Sequence, residues 1–284
     1  MIAFLRSVSS VSIIAFAVAS MLSAGLSFTF RDIVGPFRRP NRVLRATVAN
    51  FVLVPLLAAG IARALSLGPA QATGLILLGA AAGAPFLIKL VGIAAGDIAL
   101  STSLLVLLVP LTVVFMPIVV PLLSPGAAVS ARAIALPLAE TLLLPLAIGL
   151  VVTERAPRWA RALQPIAEVI STIALVAMLV LTIALDLRDV AGIVASRALV
   201  AVLLLVAGAF VIGALIASPH HERRIVLGLG TAQRNIAAAT VVAIEDIKDR
   251  DTLVLVVVAS VIDLAILIPL ARWMRTTGVR GGSI

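Results

Sequence analysis

Two stretches of this chain put polar side chains where everything around them is apolar. Thr231-Ala-Gln233-Arg234-Asn235 places four polar residues in five inside the run 225–245. Asp263 is the one charge between Thr252 and Leu270. A charge at the centre of a bilayer costs about 2.5–3.5 kcal/mol on insertion scales, so each of these side chains needs a chemical reason. Arginine stays protonated, and Arg234 therefore needs an anion, either the Asp263 carboxylate or the carboxylate of a bound molecule. Asp263 either pairs structurally with Arg234 or takes up and releases a proton. A second unusual run is Gly79-Ala-Ala-Ala-Gly83-Ala-Pro85-Phe-Leu-Ile-Lys89. Glycine and proline weaken a helix and leave backbone groups without partners; at membrane depth, protein, water or ligand must satisfy them. The two glycines also suit close helix packing through small residues. Lys89 either snorkels to the interface or lines the same site, and Glu140, inside the run 132–152, reads as structural.

These residues need membrane-spanning elements to position them. The chain is 62% hydrophobic and 12% charged over 284 residues, too few charges to cover a water-soluble particle of this size. The apolar runs are continuous, which favours helices over an alternating barrel. Nine spans are expected, at 10–29, 43–64, 70–91, 98–123, 132–152, 165–186, 197–218, 225–245 and 252–272. The stretch after Met1 to Arg6 reads as the first span and not as a cleaved signal. The net charge of +9 does not indicate nucleic acid, because the basic residues cluster between spans. Thirteen fall on one side, among them Arg38, Arg39, Arg42, Arg158, Arg161, Arg223, Arg275 and Arg280. Seven fall on the other, among them Arg63, Arg188, Arg197 and Arg250. That asymmetry predicts a multi-pass protein of the cell inner membrane with its N-terminus outside and its C-terminus cytoplasmic. His220 and His221 sit in a turn beside Glu222, too few ligands for a metal shell. The chain has no cysteine, so no thiolate site is available, and no cofactor or metal is expected.

The interrupted runs fall in the third and eighth spans, each followed by one more span. Paired Gly/Pro-interrupted spans in two halves point to a transporter's midplane site. One transmembrane domain, 1–284, is expected, with half one at about 1–124, half two at about 132–284, and opposite orientations of the two.

At these residues the sequence resembles the bile acid:sodium symporter family. Met21-Leu-Ser-Ala-Gly-Leu-Ser ahead of Arg38-Arg-Pro, Asn50-Phe-Val-Leu-Val-Pro55, Gly74-Leu-Ile-Leu-Leu-Gly-Ala followed by Ala95-Gly-Asp97-Ile-Ala-Leu-Ser101, and Thr231-Ala-Gln-Arg-Asn235 carry the likeness. The resemblance implies an all-α secondary transporter built as an inverted repeat, with panel and core domains, two crossed broken helices and alternating access. It looks like the version lacking the first helix. It also exposes departures. The family's sodium-binding Ser and Asn match Leu87 and Ile88, the next Ser and Thr match Ser101 and Leu105, the acidic ligand matches Gly230, and the following Gln matches Arg234. Asn50, Ser101, Gln233 and Asn235 keep polar oxygens near those positions. Sodium is therefore not carried over.

The expected function is secondary active transport of a small organic anion, a carboxylate, without the family's usual sodium sites. The expected substrate-binding residues are Arg234, Asn235, Gln233, Thr231, Lys89 and Asn50, with Asp263 and Ser101 in coupling. Proton uptake by Asp263 is the alternative coupling route, and membrane lipids are the other partner. The competing expectation is a non-transporting sensor or scaffold whose intramembrane ion pair only fixes the fold. No enzyme motif is present.

Overall fold

The structure is a computed structural model and describes residues 2–34, 40–123, 130–217 and 221–280. Arg38, Arg39 and His220 fall outside the described residues, as do the side chains of Arg42, His221 and Arg280. All regular elements among the described residues are helical, and eight helical segments are long and apolar enough to cross a membrane. Helix α1 spans Ile2–Ser27, starting eight residues before the expected span, and short α2 spans Phe30–Val34. Helices α3 (Pro40–Val48) and α4 (Val54–Ala64) are joined by one wide π turn, Ala49–Leu53. Helices α8 (Ala131–Leu138) and α9 (Leu144–Arg155) are joined in the same way at Ala139–Leu143. A proline follows each wide turn, Pro55 and Pro145. Proline has no N–H and its ring crowds the carbonyl four residues back, so the preceding turn widens without ending the helix.

The third expected span is not a continuous helix. Residues 70–91 form α5 (Pro69–Ala80) and α6 (Leu87–Ile93), separated by a non-helical stretch at 81–86. Gly83 there has φ +77°, and Pro85 cannot donate to a helical turn. The eighth expected span is interrupted too. Helix α13 (His221–Ala232) and α14 (Ile236–Val242) are separated by Gln233, Arg234 and Asn235. The other long helices are α7 (Ile98–Leu123), α10 (Pro157–Leu185), α12 (Arg197–Ile216) and α15 (Arg250–Arg280), with short α11 (Leu187–Val194) between α10 and α12.

Packing sorts the long helices into two groups. Helix α1 runs along α9 and α10, while α12 packs on α13 and α4, α4 on α5, and α5 on α15 and α7. The first group closes at a glycine contact, where a Cβ on Gly149 would lie 2.7 Å from the Gly25 backbone. The interrupted segment 223–247 is the most enclosed, with 94% of its most apolar window buried, against 28% for α10. The broken helices therefore lie at the centre and α10 at the periphery. Two ion pairs tie α10 to the central group. Lys89 on α6 pairs with Glu168 at 2.5 Å, and Arg250 at the start of α15 pairs with Asp186, just beyond the end of α10.

Candidate functional site

The two helix breaks meet, and Arg234 joins them. Its guanidinium donates from Nε to the Leu78 carbonyl at 2.8 Å and from Nη2 to the Gly79 carbonyl at 2.5 Å. These are carbonyls of the last turn of α5, where the chain turns away and Leu78 keeps only a long bond from the Ala81 N–H at 3.3 Å. They also carry the partial negative charge of a helix C-terminus. Nη1 donates to Asn50 Oδ1 and to the Thr231 carbonyl, each at 3.0 Å. A guanidinium has five N–H donors, and four are used here on neutral acceptors. Arg234 is 3% exposed, so these bonds replace water almost completely.

The neighbouring residues complete the joint. Asn235 donates its backbone N–H to the Ala81 carbonyl at 2.8 Å and its Nδ2 to the Gly83 carbonyl at 2.9 Å. Its Oδ1 accepts from the Ala238 N–H and so caps α14. Asn50, on the π turn, donates to the Ala46 carbonyl at 3.0 Å and to Thr231 Oγ1 at 3.3 Å. Thr112 on α7 closes the other side. Its hydroxyl donates to the Ala82 carbonyl at 2.8 Å and accepts from the Ala82 N–H at 3.1 Å. Sequence reasoning missed Thr112. The signal was present: the one hydroxyl in the apolar stretch 104–123, opposite the glycine-rich break.

Of the expected site residues, Arg234, Asn235, Thr231 and Asn50 come together in one network. Gln233 is buried beside them, with its Oε1 making no hydrogen bond. Lys89 does not join them. Its ammonium pairs with Glu168 and lies 6.0 Å from the centre of the Phe86 ring, half exposed. Ser101 is buried but only turns its hydroxyl back to the Ile98 carbonyl at 2.7 Å. Glu140 is exposed on the outside of the bundle.

Of the two alternatives open for Asp263, a direct ion pair with Arg234 does not form among the described residues. The ion pairs among the described residues are Lys89–Glu168 and Arg250–Asp186. Asp263 feels the charge of Arg234, yet neither of its buried carboxylate oxygens makes a hydrogen bond of good geometry. It borders a small cavity with Arg234, Ser260, Leu78, Ile236 and α12. The carbonyls of Leu78, Gly79 and Thr231 and the Asn50 amide oxygen occupy four of the five guanidinium donors, which leaves the carboxylate facing the cavity.

The space around Gly230 is filled by hydrocarbon. A Cβ on Gly230 would lie 2.6 Å from Leu104 Cδ2 and 3.1 Å from Leu87 Cδ2. Leu87, Leu104 and Leu105 are all buried. No group of three His, Cys, Asp or Glu side chains is placed to hold a metal among the described residues.

Membrane-length helices closed around two breaks define a multi-pass membrane protein. The sequence matches the Sodium Bile acid symporter family over residues 14–196, and the chain belongs to that family. It is similar to a probable sodium/metabolite cotransporter, BASS2, chloroplastic, of Oryza sativa subsp. japonica. The two are 29% identical over 154 residues, which is 54% of this chain and 37% of that protein. It is also similar to a probable sodium/metabolite cotransporter, BASS3, chloroplastic, of Arabidopsis thaliana, at 30% over 148 residues, 51% of this chain and 34% of that protein. The matched part of the chain spans little more than a third of the length of these curated relatives.

Proposed function

We propose that this protein is a secondary active transporter of a small organic anion, and that Arg234 supplies permanently the positive charge that its relatives named as sodium cotransporters take from sodium. One observation carries this reading: the Arg234 guanidinium binds the carbonyl end of one broken helix while sitting in the break of the other. A cation about 4 Å from a guanidinium, at an effective dielectric of about 20, is disfavoured by roughly 4 kcal/mol. The same charge favours a carboxylate nearby. Only one guanidinium N–H remains after the four structural bonds, so Arg234 attracts the substrate mainly through its field. A bidentate grip would require the network to open.

Further support comes from the placement of the breaks. They lie in α5–α6 and α13–α14, each followed by one long helix, α7 and α15. This is the order that two inverted halves would have. Alternating access would then rock the α1, α9, α10 group against the broken-helix group. The Lys89–Glu168 pair crosses that boundary near the middle of α10 and the Arg250–Asp186 pair at its C-terminal end. Asp263, buried and facing the cavity, is the group in this reading that takes up a proton. The membrane is the cell inner membrane, with the N-terminus outside and the C-terminus cytoplasmic, following the thirteen-to-seven distribution of basic residues.

The test is uptake of radiolabelled two- to five-carbon carboxylates into proteoliposomes, with sodium replaced by choline. Uptake that persists in choline supports the proposal. Uptake that requires sodium overturns the substitution by Arg234. A second reading, a non-transporting scaffold, is favoured by the saturation of Arg234 with neutral acceptors. Absence of uptake across the whole series, by protein that remains folded, would select it.

A further inference from the structure

The chain contains two tryptophans, and both lie in the same short pattern: Arg158-Trp159-Ala160-Arg161 and Arg272-Trp273-Met274-Arg275. In each, the third residue is buried, Ala160 at 2% and Met274 at 7%, while the tryptophan is exposed, Trp159 at 67% and Trp273 at 61%. All four arginines are exposed. One pattern opens α10 and the other lies near the end of α15.

The structure brings the two patterns to the same end of the bundle. Helices α10 and α15 pack together, and the Arg250–Asp186 pair joins the end of α10 to the start of α15. From that joint α10 runs back 27 residues to Trp159 and α15 runs on 23 residues to Trp273. At 1.5 Å per residue both tryptophans stand roughly 35–40 Å from the joint. A bilayer with its headgroup regions is about 40–45 Å thick, so both indoles fall at the opposite interface. Tryptophan favours that level, with its ring in the acyl boundary and its N–H toward water. Among the described residues at this end, Glu154 accepts from the Phe30 N–H at 2.6 Å and Asp32 from Thr29, but Arg31, Arg155, Arg158, Arg161, Arg272 and Arg275 outnumber these two carboxylates, and Glu168 is paired with Lys89. The surface beside each tryptophan is therefore positive, and an arginine fork matches phosphate geometry.

We propose that the two Arg-Trp-x-Arg segments form a binding surface for anionic phospholipid headgroups in a single leaflet. The arginines hold the phosphates and the tryptophans seat beside the upper acyl chains. This surface is separate from the Arg234 site, and it holds whether or not the protein transports.

The chain has no tyrosine, so its red-edge intrinsic fluorescence comes from these two tryptophans. The experiment titrates detergent-purified full-length protein with phosphatidylglycerol brominated near the headgroup, and in parallel with phosphatidylcholine brominated at the same place. Stronger quenching by the anionic lipid is expected. The preference should fall about fivefold for each arginine replaced, given about 1 kcal/mol per basic residue at an anionic surface. It should vanish near 1 M salt, where the screening length is about 3 Å. The variant with Arg158, Arg161, Arg272 and Arg275 all changed to Gln should quench equally with both lipids. If it fails to fold, the pairs Arg158→Gln/Arg161→Gln and Arg272→Gln/Arg275→Gln, made separately, should each lower the preference about twenty-five-fold, fivefold for each arginine. Equal quenching of the unmodified protein by the two lipids would overturn the proposal, as would a preference unchanged in the variants. Loss of the preference on adding inorganic phosphate at matched ionic strength would show a simple anion site and also overturn it.

Discussion

Arg234 and Gly79 are joined by a 2.5 Å hydrogen bond from guanidinium to backbone carbonyl, 155 residues apart in the chain. The bond makes one side chain of the second broken helix the terminal cap of the first. Arg234→Ala would leave the Leu78 and Gly79 carbonyls and Asn50 Oδ1 buried without that donor. Each such group costs about 1–3 kcal/mol. Thermal unfolding in detergent should show a loss of several kcal/mol, and Arg234→Lys should recover only part of it, because an ammonium lacks the fork. Unchanged thermal stability of Arg234→Ala would contradict the capping role.

Gly83→Ala should be destabilising by roughly 1–3 kcal/mol. Its φ of +77° is unfavourable for a residue with a side chain. A Cβ there would also lie 2.8 Å from Leu108 Cβ and 2.9 Å from the Val109 nitrogen, so α7 would be pushed away. Gly92→Ala, with only Ile98 Cδ1 at 3.7 Å, is the control and should be tolerated. Guanidinium-free thermal scans of both variants distinguish a special position from a general loss on α5–α6.

Thr112→Val keeps the shape of the side chain and removes both hydrogen bonds to Ala82. A cost of about 1–3 kcal/mol is expected from the unpaired backbone groups, with Thr112→Ser close to the original protein. Equal stability of the Val and Ser variants would mean that water satisfies this turn.

Asp263→Asn replaces a buried carboxylate whose oxygens make no hydrogen bond of good geometry. Stability should hold or rise, since an unpaired buried charge is costly. If Asp263 carries the coupling proton, uptake by the original protein should vary with external pH and uptake by the Asn variant should not. The same pH profile in both proteins removes Asp263 from coupling.

Gly230→Glu introduces the carboxylate that the family resemblance implies at this position, but it meets Leu104 and Leu87. Overpacking of this kind costs about 1–3 kcal/mol. Expression and thermal stability should fall in the single variant and recover when Leu87→Ser is added. Only the triple variant with Arg234→Gln as well should gain stabilisation from sodium over choline. Sodium stabilisation of the unmodified protein would refute the apolar filling of this site.

Much of the architecture was legible because its causes are local. Long apolar runs mark spans, and Gly79, Gly83 and Pro85 mark the break in α5–α6 through backbone chemistry that acts within a few residues. Thr231 to Asn235 marked the second break by its polarity alone. Partners were another matter. Charge suggested Asp263 for Arg234, but the guanidinium went to the carbonyls of Leu78 and Gly79. Every residue has a carbonyl, and only the path of the chain shows which ones a helix break leaves unsatisfied. Lys89 was open between the site and the interface until packing put Glu168 on α10 beside it. The sequence shows where the regular structure must fail. Which groups then repair the failure depends on distances between segments far apart in the chain, and those exist only after the helices have packed.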